Sequence, residues 1–211
     1  MNVVNERKRP YIVMEGMSDR FMATYKRPFE AKDIKVVMYA GGLHERYGLK
    51  KLTEAFMMLP QENFRLKLFG SGPFVEKLKT KYTKKDSRIQ YMGVAPNAEV
   101  VAAELDASLL VNPRPTHEEF TKYSFPSKNI EYMASGTPLL TTKLPGMPKE
   151  YYPYVFLIEN ESVEGYAKAL ESVLAQSDEE LYVFGEKAKD FVLEKKNSFE
   201  QAKRVIELIK L

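Results

Sequence analysis

Short β-rich apolar runs alternate along this chain with stretches whose apolar positions recur every three to four residues. The runs Val36–Ala40, Phe64–Phe69, Ile89–Met92, Ser108–Asn112, Leu139–Thr142 and Val155–Ile158 have the length and the flanking Gly, Pro and Asn of strands. Between them, Leu49, Leu52 and Phe56, then Phe74, Leu78 and Tyr82, then Val163, Ala167, Leu170 and Leu174 mark helices with one apolar face. Two more helices are predicted at about 178–194 and 199–211, the second capped by Ser198. Strands alternating with helices predict an α/β, Rossmann-like three-layer domain with a mainly parallel sheet of about six strands, over residues 35–211. Residues 1–34 do not fit this alternation: Tyr11–Met14 is followed by Glu15-Gly16 and polar sequence with Arg27-Pro28, which reads as a linker.

Composition narrows the chemistry. The 211 residues include 32 basic and 29 acidic side chains, for a formal charge of +3, and no long basic run, so nucleic acid is not an expected partner. There is no cysteine and there are only two histidines, His44 and His117, which removes thiolate chemistry and argues against a bound metal. No segment approaches the roughly 18 apolar residues of a membrane span, and Met1–Pro10 lacks the apolar core of a signal peptide, so a cytoplasmic location is expected.

In an open parallel sheet a ligand sits beyond the carboxyl ends of the strands, so the loops there are the candidates. After the first strand, Gly41-Gly42 would let a backbone approach phosphate oxygens, and Arg46 could add a forked contact; a plain strand-to-helix turn explains the same residues equally well. Gly70-Ser71-Gly72-Pro73 is good turn chemistry, or a second anion cradle. Gly93-Val94 follows the third strand, where backbone groups could read the edge of a base. Glu118 and Glu119, in the long loop after the fourth strand, could accept bonds from sugar hydroxyls or simply face water, and His117 reads as a surface residue.

The block Phe125-Pro126-Ser127-Lys128 opens a helix that Gly136-Thr137-Pro138 closes. Ser127 suits an N-cap and Gly136 a stop, and Glu131 sits well near the positive end. Lys128 opposes the helix dipole unless an anion binds nearby; alternatively it pairs with Glu131, three positions on and on the same face. A hydroxyl, a cation and a carboxylate at one helix N-terminus suit the phosphates and ribose of a nucleotide.

Several blocks taken together resemble a known family: Tyr39-Ala40-Gly41-Gly42-Leu43, Tyr47-Gly48, Ala55-Phe56, Phe69-Gly70-Ser71-Gly72-Pro73, Tyr91-Met92-Gly93-Val94, and Phe125 through Pro138. Their order and spacing are similar to the C-terminal donor domain of retaining glycosyltransferases of family 4. The resemblance implies half of a GT-B fold, with a nucleotide-diphosphate sugar of UDP or GDP type as donor, no cofactor and no metal. It implies that Glu131 holds the ribose, that Gly41 and Gly42 approach the diphosphate, and that Gly93 and Val94 contact the base; Arg46, Ser127 and Lys128 are expected to meet the diphosphate by inference from their positions and not by a match to the family. Glu118 or Glu119 would then meet the donor sugar.

It also implies that residues 1–34 are a remnant of an absent N-terminal domain. That domain would bind an acceptor glycan or lipid-linked acceptor, with peripheral membrane association of the full enzyme. The chain alone would then bind nucleotide and turn over little. Four positions depart from the family pattern, one of them Pro126, which replaces a glycine whose N–H usually meets phosphate. Gly42 and Tyr47 stand where many members have arginine and lysine, and Tyr123, eight positions before Glu131, replaces the first of a pair of glutamates. The alternatives are a non-catalytic nucleotide-binding or regulatory module, or a nucleotide-sugar epimerase of the same architecture.

Overall fold

A computed structural model describes residues 10–210. Residues 1–9 of the expected linker, and Leu211 of the last predicted helix, lie outside the described residues. The six strands are β1 (Lys35–Ala40), β2 (Phe64–Phe69), β3 (Ile89–Gly93), β4 (Leu109–Asn112), β5 (Leu139–Thr142) and β6 (Phe156–Ile158). They form one sheet in the order β3-β2-β1-β4-β5-β6, and every pairing is parallel. All six expected strands are present to within a residue or so at each end. The chain starts at β1, works outward to β3, then returns to β4 on the other side, so the direction of winding reverses between β1 and β4.

The pleat of β1 sorts the core into two layers. Val37 and Tyr39 face α1 (Leu49–Met57), α2 (Phe74–Lys77), which runs on through a wider turn into α3 (Thr83–Lys85), and α6 (Val163–Leu174). Val36, Met38 and Ala40 face α4 (Asn97–Asp106), α5 (Ser127–Ser135) and α7 (Asp178–Lys195). The last helix, α8 (Ser198–Ile209), is capped by Asn197, whose side chain accepts from Glu200 N, and not by Ser198. Ser198 lies one position too far on, already inside the first turn.

The N-terminal segment packs on this same domain. Met22 joins the second core layer, and Ser18 Oγ donates to Val192 O at 2.9 Å. The buried Arg27 donates to Ala107 O and Gly136 O, both at 3.2 Å, and so ties the loops that feed β4 and β5 at the edge opposite the candidate loops. Farther up, the Lys196 ammonium sits between Glu15 at 2.5 Å and Glu150 at 2.6 Å, and Tyr151 Oη donates to Glu15 at 2.8 Å. Burial alone would raise the Glu15 pKa, but the bonds from Lys196 and Tyr151 outweigh it and hold it below the ordinary value.

Lys196→Met leaves the buried Glu15 uncompensated and is expected to cost about 3–5 kcal/mol in urea unfolding. Because Glu15 is depressed, its contribution is present above the unfolded carboxylate value of about 4.3 and fades as pH falls through the lower folded value. Glu15→Gln should therefore flatten the acid limb of stability against pH, and an unchanged limb refutes the assignment. Gly48 sits at φ +84, and a Cβ there would lie 1.8 Å from Pro113 O. Gly48→Ala is expected to destabilise by more than about 2 kcal/mol, because left-handed strain adds to a backbone clash; a smaller loss in the same assay contradicts the close approach.

Candidate functional site

The loops at the carboxyl edge are bound to one another. Gly41 N donates to Phe69 O, Leu43 N to Ser71 O, Phe74 N to Leu43 O, and Gly70 N to Gly93 O, so the first three loops form one hydrogen-bonded ledge. Gly70 and Gly72 serve that ledge: a Cβ on Gly70 would lie 1.9 Å from Gly41 O, and one on Gly72 2.3 Å from Leu43 O. Structural packing accounts for this second glycine pair. Gly42 differs, since a Cβ there would meet only the His44 and Tyr47 side chains, at 3.2 and 3.3 Å.

The centre of the edge is where β1 and β4 part. Their pairing runs only through Val37↔Leu109 and Met38↔Leu110. Ala40, two residues on, still faces that side with an N–H and a C=O. One side chain of α5 satisfies both: Ala40 N donates to Tyr132 Oη at 2.7 Å, and Tyr132 Oη donates to Ala40 O at 3.1 Å. Tyr132 is wholly buried, and burial pushes its phenol far above the usual range, so it stays a neutral donor and acceptor. This bond fixes α5 against Gly41-Gly42. The contact was not legible in the sequence, where Tyr132 looks like any apolar position of an amphipathic helix.

At its N-terminus α5 departs from expectation. Pro126 occupies the N-cap position in extended conformation, no side chain caps the helix, and Ser127 is an exposed first-turn residue. Proline can supply no capping oxygen, so the positive end of the helix remains electrostatically available. Asn129, in the same turn, accepts from Asn112 Nδ2 at 2.5 Å at the end of β4, while its own buried Nδ2 has no hydrogen-bond partner.

Lys128 and Glu131 lie together on the exposed side of this turn, each about a third exposed, and pair at 3.0 Å. The second sequence alternative for Lys128, a pair with Glu131, is thus realised. A third group joins them unannounced: Glu104 of α4 is fully buried, with Oε1 3.9 Å from Lys128 Nζ. Burial, then the nearby Glu131, pushes the Glu104 pKa up to about 8, with Lys128 pulling the other way.

The other candidates are more dispersed. Arg46 is exposed, with its guanidinium 5.3 Å from the centre of the Tyr47 ring. On the same ring, at 4.8 Å, lies Arg114 from the loop after β4, which also reaches Phe120 at 5.7 Å. Arg114 brings a second cation to the first loop, and its position next to the buried β4 end is the only sequence signal that could have found it. Gly93 lies at φ +77 with open space about it, and Val94 is exposed at the β3 edge. Glu118 precedes, and Glu119 opens, a short turn over Glu119–Lys122; Glu118 lies 3.9 Å from the exposed His117, and Glu119 is exposed. Tyr123, eight positions before Glu131, is exposed. Glu161 anchors the loop by accepting from Thr116 N at 3.1 Å, and Tyr166 Oη donates to Pro113 O at 2.8 Å.

Among the described residues, no group of three or more acidic or histidine side chains is arranged to hold a metal ion, and no helix is long and apolar enough to cross a membrane.

Comparison with known proteins gives this edge a context. The putative colanic acid biosynthesis glycosyltransferase WcaL of Escherichia coli K12 is 30% identical over 112 residues, 51% of this chain, and the match spans 27% of that relative's length. Among solved structures, sucrose-phosphate synthase from Thermosynechococcus elongatus superposes with a TM-score of 0.72 at 20% identity, over 92% of this chain and 51% of that one. Anabaena Alr3699/HepE, solved with UDP and glucose, gives 0.66 at 16% identity, over 84% and 48% of the two chains. At those identities the likeness shows a shared fold. The family model described as glycosyl transferases group 1 matches residues 23–210, and this chain therefore belongs to that family.

Proposed function

We propose that the carboxyl edge of this sheet is the donor-binding face of a glycosyltransferase that moves a sugar from a nucleoside-diphosphate donor to an acceptor hydroxyl, with retention, as in family 4. The observation that carries the reading is the Lys128–Glu131 pair in the uncapped first turns of α5, held beside Gly41-Gly42 by Tyr132. Glu131 would accept from the ribose hydroxyls. Helix N–H groups at Ser127 and Lys128, with the Lys128 ammonium, would take the diphosphate, whose charge grows as the sugar bond breaks; donors already aimed there need no reorganisation at that moment. Arg46 and Arg114, gathered on Tyr47, stand in for the cations that many family members place at positions 42 and 47. Gly93 and Val94 would meet the base, and Glu118 or Glu119 the sugar. No nucleophile is proposed.

The acceptor, a glycan or lipid-linked, would bind a second domain, and this chain would be the donor half, binding nucleotide while turning over little by itself. A non-catalytic binding module is favoured by one observation: Tyr123 occupies the place of the family's first glutamate.

Calorimetry with UDP, GDP and ADP tests the reading. Binding of one of them is expected, with no product from an added nucleotide sugar; no binding at millimolar concentration sinks the donor-face assignment, and turnover by the chain alone sinks the half-enzyme one. Glu131→Ala should weaken the nucleotide that binds by about 1–3 kcal/mol through its lost charged hydrogen bonds, and unchanged affinity in a folded variant removes Glu131 from the ribose.

A further inference from the structure

Glu104 is the group that nothing in the fold explains. Its side chain is fully buried in the layer between α4, α5 and the sheet, and neither carboxyl oxygen has a hydrogen-bond partner. A buried carboxylate without hydrogen bonds is costly, and replacing it by an apolar side chain would remove that cost. The groups that face it are few. From α5 come Lys128 at 3.9 Å, Glu131 and the phenol of Tyr132. β1, against which α4 packs, presents Val36, Met38 and Ala40 to this layer, none of which titrates. The N-terminal segment reaches the end of α4 through Arg27, on Ala107 O, and through Lys32, on Asp106 at 2.7 Å. Thr137 Oγ1 donates to the Glu104 backbone carbonyl and not to its carboxyl.

Lys128 thus stands between two carboxyl groups, one at the rim and one in the core. If both carried charge, the three groups together would be net negative at the place where the anionic diphosphate is to bind. With Glu104 protonated, Lys128 and Glu131 balance each other, and once a ribose engages Glu131 the ammonium is released toward the phosphates. Resting on the donor-face reading above, we propose that Glu104 is a positioning residue for the nucleotide: while it holds its proton Lys128 is free to meet the diphosphate, and when it ionises it draws Lys128 inward and away.

Burial weakens the acid and places this change just above neutrality, since Glu104 is pushed up to about 8. Binding then requires the protonated form, so affinity falls as pH rises through that value. Titration calorimetry with whichever of UDP, GDP and ADP binds, between pH 7 and pH 8.5, is expected to show a loss of about fourfold. At pH 8, repeating the titration in buffers of different ionisation enthalpy should reveal uptake of about half a proton per nucleotide bound. In Glu104→Gln, where the side chain cannot ionise, the fall and the uptake due to this group should vanish, and the difference between variant and wild type subtracts any titration of the nucleotide itself, which both share. Lys128→Met should bind more weakly with an equally flat profile. A Gln variant that keeps the wild-type slope, or a wild type with no slope and no proton uptake, overturns the proposal while leaving the donor face intact. Absence of any nucleotide binding at pH 7 overturns the donor face, and this role with it.

Discussion

The parting of β1 from β4 is the constraint on which the rest of the molecule depends. A parallel sheet wound in both directions must open where the winding reverses, and there the inner strands lose partners for their last backbone groups. Ala40 is that place, and a single phenol from α5 supplies both missing partners. The same bond that closes the backbone account anchors a helix N-terminus beside the first glycine loop. Fold and site share this contact, so the candidate ligand groups are held by an element the core itself requires.

Around that anchor the electrostatics are arranged with little redundancy. The first turn of α5 carries no capping side chain, and Pro126 ensures that none can come from the cap position. A cation there is unfavourable by itself; Glu131 at the rim compensates it, and the buried Glu104 carboxyl lies 3.9 Å from it on the core side. Glu104 remains a liability for stability, which is tolerated more readily where a ligand completes the balance. On the other side of the opening Tyr47 gathers Arg46 and Arg114, so cations approach the ledge from two loops that are far apart in sequence.

The N-terminal segment shows how far local pattern can mislead. Residues 18–33 have no long apolar periodicity and read as a connection, yet Met22 enters the core and Arg27 clamps two loops at the opposite edge. Isolated anchors of this kind, one methionine and one arginine, leave no periodic trace. Glu104 is a similar case. It lies three residues after Val101 and so shares its buried face, but a glutamate among alanines on a ten-residue helix resembles a solvated position until α5 is packed against it.

The strands, most of the helices, the parallel α/β architecture and the likeness to glycosyltransferases were legible in the chain, because period, turn residues and motif spacing are local and the central strands β4 and β5 are buried on both faces. The sequence also placed Lys128 and Glu131 on one helical face, which spacing alone requires. Packing of the elements against one another was needed to show that Tyr132 bridges the gap in the sheet, that Arg114 joins Arg46 on Tyr47, and that Glu104 lies under Lys128. Those relations depend on which elements the winding order brings side by side, and on burial, which changes the charge a carboxyl group can carry without changing its letter in the chain.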